Sequence, residues 1–272
     1  MFKSIVVKAP AKVNISLEIR GFVESYHDLQ SLMAKVDLYD VITITERPDK
    51  LVNVVYSTGE SYPCDNALNA AVKIIEKFNL NGVDITIEKG VPEGVGLGGS
   101  AVDAAGIARG LKELYDISYQ DDFLITLGGD VPFLASDYDS ALVKGKGEQL
   151  TPVPLKQSRG ILVYGKERVS TKAVFDKYDE LCAKRCIKEA EKSGLVAYNA
   201  LESAAIDVNP LIKQYRDALI DSGFSTVVMT GSGSGFIAID LGEECYDDKV
   251  NQVIALCDAR GFSYKKITWG TN

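Results

Sequence analysis

The chain has 272 residues, 46% of them apolar and 25% charged, with a formal net charge of −8. That length holds two modest domains, and the composition is that of an ordinary globular protein. The acidic balance argues against general attraction to nucleic acid or an anionic membrane, so an anionic ligand has to be gripped locally. The opening M-F-K-S-I-V-V-K alternates charged and apolar residues instead of building a signal-peptide core. No apolar run reaches bilayer length, and a cytoplasmic location is expected. Cys64, Cys182, Cys186, Cys245 and Cys257 are odd in number and lack C-x-x-C spacing. They read as free thiols, although Cys182 and Cys186 are spaced to share a helix face.

In chain order, Lys12 to Arg20 alternates, with Val13, Ile15, Leu17 and Ile19 on one face and Lys12, Asn14, Ser16 and Glu18 on the other, the pattern of a half-buried strand. Strands are expected at Asp40–Glu46 and Leu51–Ser57, separated by a turn at R-P-D-K. Asp65 is placed to cap a helix whose Ala67, Ala71, Ile74, Ile75 and Phe78 form one stripe. A strand from Val83 to Lys89 runs into P-E-G-V-G-L-G-G-S-A-V-D at 92–103, and the helix that follows carries Ala101, Ala104, Ala105, Ala108, Leu111 and Leu114. Helical pattern over Tyr119–Leu127 stops at G-G-D-V-P, and A-L-V-K-G-K-G-E reads as a strand entering a turn. Thr151 to Arg159, with two prolines, is the expected domain junction.

The second half offers a strand at Gly160–Tyr164 and helices near 171–180, 183–193, 196–205 and 210–222. Strands at Ser225–Met229, Gly235–Asp240 and Phe262–Thr268 and a helix over 244–260 complete it. Strands and helices mixed in both halves predict an α+β fold of two domains, 1–152 and 153–272.

The glycine-rich stretch is the most informative. Glycines let backbone N–H groups approach a ligand closely, and a helix starting there adds unsatisfied donors and a positive dipole end, so the stretch reads as a phosphate cradle. It fits neither the P-loop nor the dinucleotide fingerprint. A tight strand-to-helix turn without a ligand is the alternative. Three further segments accompany it: K-A-P-A-K-V-N at 8–14, G-G-D-V-P at 128–132 and T-G-S-G-S at 230–234.

With Y-H-D-L at 26–29 and V-D-L-Y-D at 36–40, these segments resemble the GHMP kinase superfamily over almost the whole chain. Within it they are most similar to the kinases of 4-diphosphocytidyl-2-C-methyl-D-erythritol, in non-mevalonate isoprenoid synthesis. The resemblance implies a two-domain GHMP kinase fold: an N-terminal domain like domain 2 of ribosomal protein S5, and a ferredoxin-like C-terminal domain. ATP and Mg²⁺ are the implied cofactors and a small-molecule alcohol the acceptor, in a monomer or homodimer without a nucleic-acid or membrane partner. Other small alcohols, or a catalytically weak nucleotide-binding homologue, are the alternatives.

Lys12 and Asp130 match the family's catalytic lysine and aspartate, and a salt bridge between them is expected. A solvated strand lysine and an Asx turn at a helix exit are the plain readings of the two. Pro92, Gly94, Val95, Gly96, Leu97, Gly98, Gly99, Ser100, Ala101 and Asp103 are the implied ATP-binding residues. Asn14, Tyr26, His27, Phe175, Thr230, Gly231, Ser232 and Gly233 are the implied substrate-binding ones. In the family the histidine of Y-H binds the cytosine, which stacks between two aromatic rings; Tyr26 and Phe175 would supply them. Core packing would equally occupy those two rings, a satisfied surface site would suit His27, and T-G-S-G-S also suits a hairpin. Asp37 and Asp40 match as well, or fix a turn and a strand entry. The family's usual loop is G-L-G-G-G-S-S-D, and here Ala101 and Val102 replace two hydroxyls. The family's D-G-Y-H is Glu24-Ser25-Tyr26-His27. No metal ligand is assigned.

Overall fold

The computed structural model describes residues 2–24, 26–59, 66–183, 197–242 and 244–270. Two long antiparallel strands, β1 (Ser4–Val23) and β2 (Tyr26–Glu46), form the spine of a seven-stranded sheet. Beyond β2 lie β4 (Val83–Glu88) and then β3 (Val52–Tyr56), while β5 (Ser140–Gly145) pairs with the first half of β2 and β6 (Gln149–Pro152) with β5. Only the 40–46 part of β2 is legible in the sequence. Leu32, Met33 and Ala34 are buried in succession, so the alternation that marks a half-exposed strand is absent there.

Helix α1 (Asn66–Phe78) buries the expected stripe, with Ala70 added. Asp65, its expected cap, lies outside the described residues. Helix α2 (Gly99–Tyr115) packs on β1 and β2 so closely that a Cβ at Gly106 would come within 2.5 Å of Ile42 Cδ1. The expected helix over Tyr119–Leu127 is a single turn, α3 (Asp121–Leu124), continued as a 3₁₀ turn, and α4 (Val131–Ala135) follows directly.

A second antiparallel sheet has the order β11 (Ser263–Trp269), β7 (Ser158–Tyr164), β10 (Phe236–Ile239), β9 (Val227–Met229). Its residues alternate between two cores. Ile161, Val163, Phe236 and Ala238 pack with α5 (Thr171–Ala183), α6 (Glu202–Val208), α7 (Lys213–Asp221) and α8 (Tyr246–Arg260). Leu162, Ile237, Ile239, Ile267 and Trp269 join the core of the first sheet. Asp37 ties the sheets together by accepting from Thr268 N at 2.6 Å and Thr268 Oγ1 at 2.8 Å.

Two helix expectations change. Residues 198–199 form β8 (Tyr198–Asn199), which extends the first sheet parallel to β1, so α6 starts only at Glu202. The 210–222 segment opens with a 3₁₀ turn at Pro210–Ile212 before α7. The expected helix over 183–193 falls almost wholly outside the described residues, as do Cys64 and Cys186. Cys182, Cys245 and Cys257 are free thiols. No helix among the described residues is long and apolar enough to cross a membrane.

Candidate active site

The glycine loop, the start of β1, the G-G-D turn and the T-G-S-G-S loop meet around one cleft of about 500 Å³. Irregularities in β1 at Pro10/Ala11 and Asn14/Ser16 bracket Lys12 and Asn14. Their polar face is not solvated, as the alternation suggested: Lys12 and Asn14 are 3% and 1% exposed, because the loops before α2 and after β9 lie over them. Lys12 N donates to Leu97 O at 3.2 Å. Its ammonium donates to Asn14 Oδ1 at 2.6 Å and stands 3.4 Å from Asp130 Oδ2.

Asn14 fixes its surroundings on three sides. Its side chain donates to Ser31 Oγ at 2.8 Å and accepts from Gly231 N at 3.0 Å, and its own N–H donates to Thr230 Oγ1 at 3.2 Å. Thr230 Oγ1 in turn donates to Gly96 O at 3.1 Å. The two loops touch so tightly that a Cβ on Gly96, whose φ is +84°, would fall 1.8 Å from Thr230 O. Asn199, on β8, holds the T-G-S-G-S loop from behind by donating to Met229 O and Gly231 O, both at 2.7 Å.

Asp130 precedes α4, yet its side chain makes no capping bond, and 29% of it is exposed toward the cleft. The turn that presents it is backed by the K-G-K-G turn after β5. A Cβ on Gly147 would lie 1.9 Å from Gly129 O. From that second turn Lys146 reaches the rim, with its ammonium 2.7 Å from Glu24 Oε2 and 4.4 Å from the centre of the Tyr26 ring.

Behind the glycine loop lies a buried charge cluster. Lys89 donates to Asp40 Oδ2 at 2.7 Å and Asp103 Oδ2 at 2.8 Å, and stands 3.2 Å from Glu93 Oε1. Asp40 Oδ1 accepts from Gly90 N and Val91 N and so anchors the entry to the loop. Burial pushes the Asp103 carboxyl up to about 8 despite the Lys89 ammonium beside it, and the Asp40 charge adds to the rise. Three carboxylates around one ammonium make it favourable to retain a proton, and Asp103 Oδ1 is buried without a partner.

A model of the GHMP kinases N terminal domain matches residues 66–136. A 4-diphosphocytidyl-2-C-methyl-D-erythritol kinase of Desulfotalea psychrophila is 36% identical over 91% of this chain and 89% of its own. A putative kinase of the same name from Streptococcus agalactiae is 32% identical over 93% and 96%. The chain belongs to the 4-diphosphocytidyl-2-C-methyl-D-erythritol kinase family of the GHMP kinases. A crystal structure of a 4-(cytidine 5'-diphospho)-2C-methyl-D-erythritol kinase superposes with a TM-score of 0.75 at 28% identity, covering 98% of this chain and all of the other. The mevalonate kinase of L. major, at 14% identity, shares the fold with a TM-score of 0.71, over the whole of this chain and 97% of its own.

Of the residues that the family resemblance singles out, Lys12, Asn14, Gly94, Gly96, Gly98, Gly99, Ser100, Ala101, Asp130, Phe175, Gly231, Ser232 and Gly233 line the cleft. Val95 and Leu97 alternate with the glycines and turn into the core, Thr230 braces Gly96, Asp103 pairs with Lys89, and Pro92 does not reach the cleft. His27 stacks between Phe22 and Phe175, with ring centres 4.5 Å and 4.7 Å away, and its Nε2 lies 2.8 Å from Asp179 Oδ1. Tyr26, its neighbour on a strand, points to the other side and sits on Lys146, so these three rings do not enclose one slot. Glu93, Lys146 and Thr171, whose hydroxyl lies 2.8 Å from Ser232 Oγ, line the cleft, and Asn199 braces the T-G-S-G-S loop, all without a sequence signal. Their roles arise from which turns abut, and the glycines at 145 and 147 are the one hint for Lys146.

Proposed function

We propose that this chain transfers the γ-phosphoryl group of ATP to the 2-hydroxyl of 4-diphosphocytidyl-2-C-methyl-D-erythritol. The observation that carries the reading is the Lys12–Asp130 pair, 3.4 Å apart, in a cleft roofed by a glycine loop and the N-terminus of α2. The loop's N–H groups and the helix dipole hold the phosphates. Asp130 orients the acceptor hydroxyl and takes its proton, while Lys12 keeps that carboxylate charged and neutralises charge developing on the phosphoryl oxygens. Asn14 and Thr230 fix the lysine and the loop in register.

The charges lining the cleft favour a metal–nucleotide complex. Among the described residues its two cations, Lys12 and Lys146, each face a carboxylate, Asp130 and Glu24, so they offset only part of a triphosphate's charge. Glu93 and the Ser100 hydroxyl line the cleft and would hold Mg²⁺, which binds through one or two carboxylates plus phosphate oxygens, leaving Asp130 to the acceptor hydroxyl. Such an ion supplies charge neutralisation to the transferring group.

A second reading, a kinase of the same mechanism acting on another alcohol, is favoured by the separation of Tyr26 from the His27–Phe175 stack. ATP consumption at fixed Mg²⁺, with the cytidyl substrate and with a panel of polyols and sugars, separates the two. Turnover confined to another alcohol overturns the first reading, and nucleotide binding without any turnover overturns both.

A further inference from the structure

A second cavity, of about 320 Å³, opens on the far side of the G-G-D turn. Its charged edge is formed by Arg109 and Lys112, three residues apart on α2, and by Asp137. Among the described residues no carboxylate or hydrogen-bond acceptor engages either cation's side chain, unlike the two lysines of the cleft. Lys35 adds a third positive charge close behind: it is largely buried, donates to Ser136 O at 2.5 Å and faces the Phe133 ring at 5.4 Å. Burial first, and then Arg109, bring its ammonium down to about 8, while Asp139 and Asp137 act in the opposite sense. Leu124, Pro132 and Leu150 supply apolar surface within an otherwise largely polar lining that includes Ser118, Tyr119 and Ser136, together with the exposed Tyr138.

We infer that this cavity is a binding site for a small organic phosphate with an apolar body, held by Arg109 and Lys112 and separate from the nucleotide cleft. A guanidinium and an ammonium one helical turn apart suit a phosphate, which accepts several charge-assisted hydrogen bonds at once. Contact with Leu124, Pro132, Leu150 and the Tyr138 ring then distinguishes an organic phosphate from the free anion. The site also shares structure with the cleft. Pro132, Ala135 and Ser136 of α4 and its exit line the second cavity, whereas Gly128, Gly129 and Asp130, immediately before α4, line the first. A ligand seated there presses on the one-turn helix that directly follows Asp130, so occupancy alters phosphoryl transfer.

Calorimetry with the full chain tests the site, with the cleft first saturated by a non-hydrolysable ATP analogue and Mg²⁺. Phenyl phosphate should bind saturably and several-fold more tightly than inorganic phosphate. The Arg109→Gln, Lys112→Ala double variant should weaken it about tenfold or more, the scale of losing one or two charge-assisted hydrogen bonds. Lys112→Ala alone, at an exposed position, gives a second measurement independent of any folding defect and should weaken binding severalfold. Absence of saturable binding, or undiminished affinity in both variants, overturns the site; equal affinity for the two phosphates removes Leu124, Pro132, Leu150 and Tyr138 from the recognition. The coupling is read separately as a change in turnover at saturating ATP and alcohol on adding phenyl phosphate, present in the wild type and lost in the double variant. An unchanged wild-type rate overturns the coupling.

Discussion

An aspartate immediately ahead of a helix normally spends its carboxylate on the first free N–H groups, and Asp130 does not. Its charge is kept for the cleft, where the nearly inaccessible Lys12 ammonium is the cation beside it. Asp130→Asn keeps the shape and removes the proposed base. Turnover is expected to fall about 10²- to 10⁴-fold with ATP affinity retained, measured as kcat alongside nucleotide binding. A variant with unchanged kcat would remove Asp130 from the chemistry. His27 does not itself line the cleft; it lies between Phe22 and Phe175, with Asp179 on its Nε2, and only Phe175 of that stack reaches the cleft. If that stack is where a pyrimidine is read, His27→Ala raises KM for the cytidyl substrate about tenfold or more and leaves KM for ATP unchanged. Equal effects on the two KM values would make His27 a packing residue only.

The loops at the site work as pairs of turns pressed together, and that contact is where a small change has the largest effect. Gly96→Ala places a methyl carbon against Thr230 O and forces an L-residue into positive φ, so the two loops must separate. A loss of about 3 kcal/mol or more in stability, or a collapse of ATP affinity, is expected, read by thermal unfolding and nucleotide titration. Such contacts also explain what was legible beforehand. The glycine loop, K-A-P-A-K-V-N and T-G-S-G-S carry their chemistry in local composition, so they could be found in the sequence. Burial of Lys12 could not, because it depends on a loop more than two hundred residues away closing over an apparently ordinary polar face. Asp103 likewise lies in the glycine motif but points backwards to Lys89. Its carboxyl is raised in the folded state from a reference of about 4 to about 8, so the folded chain holds a proton that the unfolded chain has released. Its contribution to stability is therefore complete below pH about 4 and is lost as pH rises toward about 8. Asp103→Asn cancels that loss: the Tm of the variant relative to the wild type should climb between pH 5 and pH 8, and a pH-independent difference would place a charged aspartate at this position.

At the scale of the molecule, two sheets are joined by more than the cleft they share. β7 and β10 send alternate residues into two different cores, and β8 returns after the second sheet has begun to add a strand to the first. Strict period-2 alternation read from sequence marks one buried face, whereas these strands are buried on both. That is why I-L-V and F-I-A-I appear as plain apolar runs, and why the interlock was not legible. The arrangement makes independent unfolding costly. Releasing the second sheet would expose Leu162, Ile237, Ile239, Ile267 and Trp269 on the face turned to the first sheet and break the Asp37–Thr268 bonds. At about 1.5–3 kcal/mol for each large apolar side chain, the five together are worth about 7–15 kcal/mol, comparable with the whole stability of a typical domain. A single calorimetric transition is expected, with equal van't Hoff and calorimetric enthalpies. Trp269, the chain's only tryptophan, sits in that shared core, so its fluorescence should change at the same temperature as the far-ultraviolet circular dichroism. Two resolved transitions, with the tryptophan following only the first, would show that the two sheets fold as separate units and that the shared core contributes little to either.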